Sequence, residues 1–275
     1  MASWQEQGSA SKFTWLVYTM KSNDDSRMPL RRHLEELRGC ILRGGLVMVV
    51  LFAVGMAIDD VLATVMVKPW SLAREAMVAD GLADPGRLGF IKPTEAFLFS
   101  MKVAMSFAML LGAPYILYEV WRFIGVGLHS HERKAVFKAF PAAIALFGAG
   151  LSFGYLLVLP LALPILLTWI PAELARAQVT LQEYLSLLLT LTLLLGVVFE
   201  LPILMWLIVR AGIVEVSTLA SSRKVASLCM LIFAAIMTPP DPMTMVLVAG
   251  PMVGLYEVGL LVSRRAQSAR DNVTL

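Results

Sequence analysis

Tyr184–Val209 reads YLSLLLTLTLLLGVVFELPILMWLIV, 26 residues in which Glu200 is the single charge. A helix of that length, at ~1.5 Å per residue, is longer than the ~30 Å of hydrocarbon in a bilayer. The run is apolar on every side, so it has no polar face to offer water and is read as a membrane-crossing helix. Composition agrees. Of 275 residues 58% are hydrophobic and 16% are charged, against roughly 25% charged in a soluble domain. A water-soluble chain of this length would be left with large exposed apolar patches.

Five further runs of the same kind flank this one: Cys40–Ile58 with Arg43 near its start, Ala96–Tyr118 interrupted by Lys102, Ala139–Leu167, Val225–Pro240 and Met243–Val262. The expected fold is an all-α polytopic membrane protein of six transmembrane helices. The fifth run is short. Val225–Met237 gives 13 residues before Thr238-Pro239-Pro240, or about 20 Å of helix. Such a span thins the bilayer locally or is shielded by its neighbours; read as re-entrant instead, it would put the two termini on opposite sides.

Charge sets the orientation. With the N-terminus inside, the inner segments hold Lys12, Lys21, Arg27, Arg31, Arg32, Arg38, Arg122, Arg133, Lys134, Lys138, Arg210, Arg223, Lys224, Arg264, Arg265 and Arg270. The outer segments hold Lys68, Arg74, Arg87, Lys92 and Arg176. Sixteen cations against five is a positive-inside bias and predicts an N-in/C-in protein. The net charge of +3 then reflects topology, with no nucleic-acid partner implied. Residues 1–27, polar and Ser-rich, are read as a disordered cytoplasmic tail, with Met1 and Met28 as alternative starts; 28–265 form the membrane domain and 266–275 a second cytoplasmic tail. Phe13–Met20 is apolar but lacks a small-residue cleavage site, so no cleavable signal is read. Cys40 and Cys229 suggest no disulfide framework.

Polar residues are costly in a membrane and carry the functional information. His33-Leu34-Glu35-Glu36-Leu37-Arg38 precedes the first span, with Leu34 and Leu37 on one helix face; taken alone it is an amphipathic lead-in lying on the headgroups. Glu119–Lys138 reads as a cytoplasmic loop with Trp121-Arg122-Phe123 anchored at the interface. His129, His131 and Glu132 have no further His or Cys at ligand spacing, so no metal or cofactor is expected. Glu200 must be protonated, paired or facing a wet cavity. Pro202 frees the carbonyl of Val198, and Glu200 either serves that kink or a function. Glu257 lies near the cytoplasmic end of its span, and Lys102 has no evident partner. Thr238-Pro239-Pro240-Asp241-Pro242 forbids continuous helix and predicts a rigid hairpin built on Pro239, Pro240 and Asp241. Gly150/Gly154 and Gly250/Gly254 both match the small-xxx-small packing pattern.

Seven segments in order resemble the TatC family, the receptor core of the twin-arginine protein translocase: HLEELR (33–38), LYEVWRF (117–123), HERK (131–134), FGYLLVLP (153–160), LGVVFELP (195–202), TPPDP (238–242) and PMVGLYE (251–257). The resemblance spans about residues 28–265 and implies a cupped, concave six-helix bundle in the cell inner membrane. It further implies that Glu36 and Glu132 grip the twin arginines of signal peptides on folded passengers, with Arg38 shaping the patch. A guanidinium pair is well read by carboxylates through bidentate hydrogen bonds. Glu200 matches the family's intramembrane glutamate, which meets polar residues of TatA- and TatB-type single-span partners. Self-association in a multi-copy complex and transport driven by the proton motive force, without ATP, are implied too; there is no GxxxxGK[ST] phosphate loop. Glu119 stands where family members carry Gln, and Val126 where they carry Pro. A small-solute transporter with Glu200 as proton carrier would show paired repeats, and none is visible. An intramembrane enzyme would need HExxH, GxSxG or paired aspartates, which are lacking, so no catalytic residue is assigned.

Overall fold

The computed structural model describes residues 30–126, 130–169, 178–238 and 241–271. Every described element is helical, apart from one isolated backbone pairing of Gly89 with Thr180. In chain order the helices are α1 (Leu30–Ala57), α2 (Asp59–Ala79), α3 (Pro93–Val126), α4 (Ser130–Phe153), α5 (Leu159–Leu167), α6 (Leu181–Val198), α7 (Leu201–Arg210), α8 (Val216–Ser221), α9 (Arg223–Met237) and α10 (Pro242–Asp271).

Five stretches are long and apolar enough to cross a membrane: Leu37–Ala57, Pro93–Arg122, Ala139–Leu167, Leu181–Arg210 and Pro242–Arg265. α9 has 15 residues, about 22 Å, so the short fifth run of the sequence is a short helix here as well. The third stretch is α4 and α5 joined through a π-helical turn at Gly154–Val158, where Leu159 N–H donates to Gly154 O. Pro160 follows that turn and brings no N–H, so the widened turn takes up the mismatch in the ladder.

The chain divides at Arg43/Gly44 into two units. The described part of the first is the opening of α1, with Glu35, Leu37 and Arg38 exposed and Arg43 Nη2 3.5 Å from Cys40 Sγ. The HLEELR segment is thus part of α1 itself and not a separate helix lying on the headgroups: nothing between residues 33 and 57 breaks the helix. Cys40 and Cys229 are free thiols.

In the second unit α6 lies in the core, burying Leu185, Leu188, Leu191 and Leu195 with Val158, Leu159 and Leu163 of the preceding span and Val103 of α3. It approaches α4 closely because glycines meet there. A Cβ on Gly150 would stand 2.5 Å from Leu195 O and 2.9 Å from Gly196 Cα, and one on Gly154 would stand 3.0 Å from Thr192 Cα. The pair Gly250/Gly254 has the same spacing, yet among the described residues nothing lies within 4 Å of either Cβ position.

α2 was not legible as a helix. It follows α1 after a break at Ile58 and buries Met66, Pro69, Trp70, Ala73 and Met77. Pro69 leaves the carbonyl of Val65 without its helical donor. The Tyr155 hydroxyl donates to that oxygen, and the Tyr184 hydroxyl donates to Met66 O at 2.8 Å. Tyr155 thus supplies the donor that Pro69 removes, and Tyr184 ties a second carbonyl of α2 to the core. Beyond it, Arg74 forks onto Asp84 with two contacts of 2.6 Å, and Trp70 Nε1 donates to Gly86 O at 3.3 Å. The Arg74 hydrogen bond, then the Gly86 N–H, hold the Asp84 carboxyl down at about 2.

Asp241 caps α10. Its buried carboxylate accepts Thr244 N–H at 2.7 Å and the Thr244 hydroxyl, with Pro242 opening the helix; this is the preferred chemistry of a helix start. Pro239 and Pro240 lie outside the described residues. Asp241→Ala is expected to lower stability by about 1 kcal/mol, read as a drop in melting temperature in detergent. An unchanged melting temperature would show that the cap contributes nothing.

Candidate functional site

Glu200 sits where the fourth apolar run breaks. Phe199 and Glu200 form a turn between α6 and α7: Phe199 N–H donates to Leu195 O at 3.0 Å and Glu200 N–H to Val197 O at 3.1 Å. Ile203 and Leu204 N–H then return to Glu200 O at 3.1 and 2.9 Å. None of these bonds ends on the Val198 carbonyl that Pro202 frees. The Glu200 carboxyl does not serve it through Oε1, which is buried and makes no hydrogen bond to any described residue. The junction is rigid. The Phe153 and Phe199 rings stand 5.7 Å apart, and a Cβ on Gly259 of α10 would come 2.5 Å from Met205 Sδ and 3.2 Å from Pro202 Cα. A buried acceptor without a donor, held on a stiff turn, is a cost that stability alone does not call for.

The segment read as a loop, 119–138, is largely helical: α3 runs on to Val126 and α4 starts at Ser130. Trp121 is buried with Ala143, Ile203 and Leu207 rather than anchored at an interface. Glu119 is buried too, and accepts the Tyr115 hydroxyl at 3.0 Å. Val126 is the last residue of α3. Glu132 stands in the first turn of α4 and Glu36 on α1; both side chains, with those of His129 and His131, fall outside the described part. Arg38 is exposed on α1. Among the described residues no group of three His, Cys, Asp or Glu is placed to hold a metal ion.

Lys102, read without an evident partner, has one, and so does Glu257, read near the cytoplasmic end of its span. Lys102 Nζ donates to Ser186 Oγ at 3.0 Å, and Glu257 pairs with Arg223 at 3.3 Å. The end of α10 is also tied to the α8 region, with the Tyr256 hydroxyl donating to Leu219 O at 2.7 Å and Val216 N–H to Gln267 Oε1 at 3.0 Å.

Residues 32–251 match the family model described as the Sec-independent protein translocase protein TatC. Relatives carrying that name include one from Xylanimonas cellulosilytica, 40% identical over 235 residues that cover 84% of this chain and 81% of the relative. Another, from Deinococcus radiodurans, is 36% identical over 239 residues covering 86% of each. A third, from Halothiobacillus neapolitanus, is 36% identical over 235 residues, and there the match spans 84% of this chain but 61% of the relative. Two crystal structures of the twin-arginine translocase receptor TatC superpose with TM-scores of 0.68 and 0.72 at 30% and 29% identity, covering 85% and 84% of this chain and 99% of each of theirs. An all-helical, multi-pass membrane protein of a protein translocase is the class these findings define. The chain belongs to the TatC family of Sec-independent protein translocase proteins.

Proposed function

We propose that this chain is the receptor core of a twin-arginine translocase in the cell inner membrane, with six spans and both termini in the cytoplasm. It binds twin-arginine signal peptides of folded passengers at the cytoplasmic face, with Glu36 and Glu132 as the arginine-reading carboxylates and Arg38 as their neighbour. Within the membrane Glu200 takes a polar group from a TatA- or TatB-type single-span partner, several copies assemble, and export draws on the proton motive force.

The observation that carries the reading is the family match over 32–251, which takes in HLEELR, HERK and the Glu200 turn together. The orphaned Glu200 oxygen supports a role beyond packing, because leaving it unsatisfied costs stability, and a partner that completes it has to open its cover. The charge asymmetry supports the orientation, and α9 serves as the short fifth span beside α10.

The test is binding of a signal peptide to the purified protein, Arg-Arg against Lys-Lys, in wild type and in Glu36→Gln/Glu132→Gln. Arg-Arg is expected to bind selectively, and the double variant to weaken it by about 10- to 100-fold, as for loss of charge-assisted hydrogen bonds. Equal binding of both peptides to the wild type would remove the carboxylate assignment.

A further inference from the structure

Lys102 is a cation inside an apolar run, nine residues beyond Pro93 where that run begins. Nine residues place its Cα roughly 13 Å along the helix, and side chains in a helix point back toward the N-terminus. The ammonium ends 3.0 Å from Ser186 Oγ on α6. Ser186 is six residues beyond Thr180, which caps α6, hence about 9 Å along that helix.

The start of α6 lies level with Gly89, in the segment that leads into α3. Gly89 and Thr180 pair through their backbones, with Gly89 N–H donating to Val179 O at 3.3 Å and Leu181 N–H to Gly89 O at 2.8 Å. Phe90 and Ile91, at 58% and 78% exposure, follow the pairing directly. Trp169 stands two residues beyond the end of the third apolar stretch, which returns to the side where α3 begins, and is 62% exposed. Exposed aromatic and apolar residues at the ends of spans mark the water–hydrocarbon boundary. Measured along α6 from that boundary, the Lys102 ammonium lies about 9 Å inside it.

A charge at that depth needs an anion or water. Among the described residues no carboxylate pairs with Lys102. The Ser186 hydroxyl gives its hydrogen to Gln182 O at 2.8 Å, so toward Lys102 its oxygen accepts. An ammonium has three N–H donors, and Ser186 takes one. Ser186 and Thr190 are exposed and Lys102 is half-buried, so this side of the α3–α6 pair is open to the surrounding membrane. We propose that Lys102, oriented by Ser186, is a binding site for the phosphate of a membrane phospholipid in the leaflet where α3 begins. A phosphate offers acceptors and negative charge to the remaining donors, and its seat there draws one headgroup below its usual level. The site depends on the membrane-spanning character of α3 and α6 and not on the receptor reading.

The full chain in detergent, stripped of lipid, is titrated with phosphatidylglycerol, phosphatidylethanolamine and a diacylglycerol of the same chains, and bound lipids are counted by native mass spectrometry. Wild type and Lys102→Arg are expected to hold one phospholipid more tightly than the rest, and to show no preference for diacylglycerol. Lys102→Met is expected to bind that molecule at least about tenfold more weakly, and Ser186→Ala several-fold more weakly, with the melting temperature before lipid addition unchanged. The same tight phospholipid in Lys102→Met, or diacylglycerol held as tightly as the phospholipids, would overturn the site. Should Lys102→Met not fold, the Ser186→Ala affinity decides in the same way.

Discussion

Gly150→Ala is expected to destabilise the protein by about 3 kcal/mol, at the upper end of the cost of overpacking. The added methyl would lie 2.5 Å from Leu195 O and 2.9 Å from Gly196 Cα. Those atoms are backbone of a buried helix and have no rotamer to yield. α4 and α6 would have to move apart, loosening Phe147 and Leu151 against Gly196 and opening the core next to Leu195. Gly250→Ala is expected to do the opposite. Nothing among the described residues lies within 4 Å of its Cβ position, so the change improves helix propensity, by up to about 1 kcal/mol. Thermal unfolding of both variants in detergent checks the pair. Equal melting temperatures would mean that the α4–α6 approach is looser than described.

The second large effect concerns Glu200. Glu200→Leu keeps most of the volume and removes an oxygen buried without a donor. Leaving such a group unsatisfied costs about 1–3 kcal/mol, so the folded chain should be as stable as before or more so. Export of a twin-arginine passenger, in cells that rely on the variant as their sole TatC-type protein, should fall at least about tenfold, the loss of one charge-assisted contact. Single-span partners should also co-purify poorly. Loss of stability together with export would make Glu200 a structural residue, and full export would remove it from the mechanism.

These two sites show what the sequence can and cannot disclose. Gly150/Gly154 and Gly250/Gly254 are the same pattern on paper, and only the neighbouring helix separates a tight seam from an open face. The apolar runs were legible because length and hydropathy are local properties; Ala139–Leu167 has the expected bounds and the other four long runs shift by a few residues. α2 was hidden by Asp59, Asp60, Lys68, Arg74 and Glu75, which read as an outer loop, and by Pro69 at its centre. The signal that would have found it is the row Met66, Trp70, Ala73 and Met77, at helical spacing. Pro202 pointed to the break beside Glu200, but not to the buried Oε1 left without a donor there. The link from Lys102 to Ser186 spans 84 residues of sequence and no local pattern encodes it.

The uneven lengths of the helices bear on how the chain is made. α1 carries a run from Leu37 to Ala57 of which almost nothing is buried by the rest of the protein. It can partition into lipid as soon as it leaves the ribosome, needing no companion, and its flanking charges then set the orientation of everything that follows. α9 is the reverse case. At about 22 Å, with Arg223 and Lys224 at its head, it cannot pass through ~30 Å of hydrocarbon unaided. Its companion is α10, packed against it and started by the Asp241 cap. In the six-span arrangement the final two helices must therefore insert as a unit late in synthesis, and a chain cut off after Met237 would leave its last helix outside the bilayer.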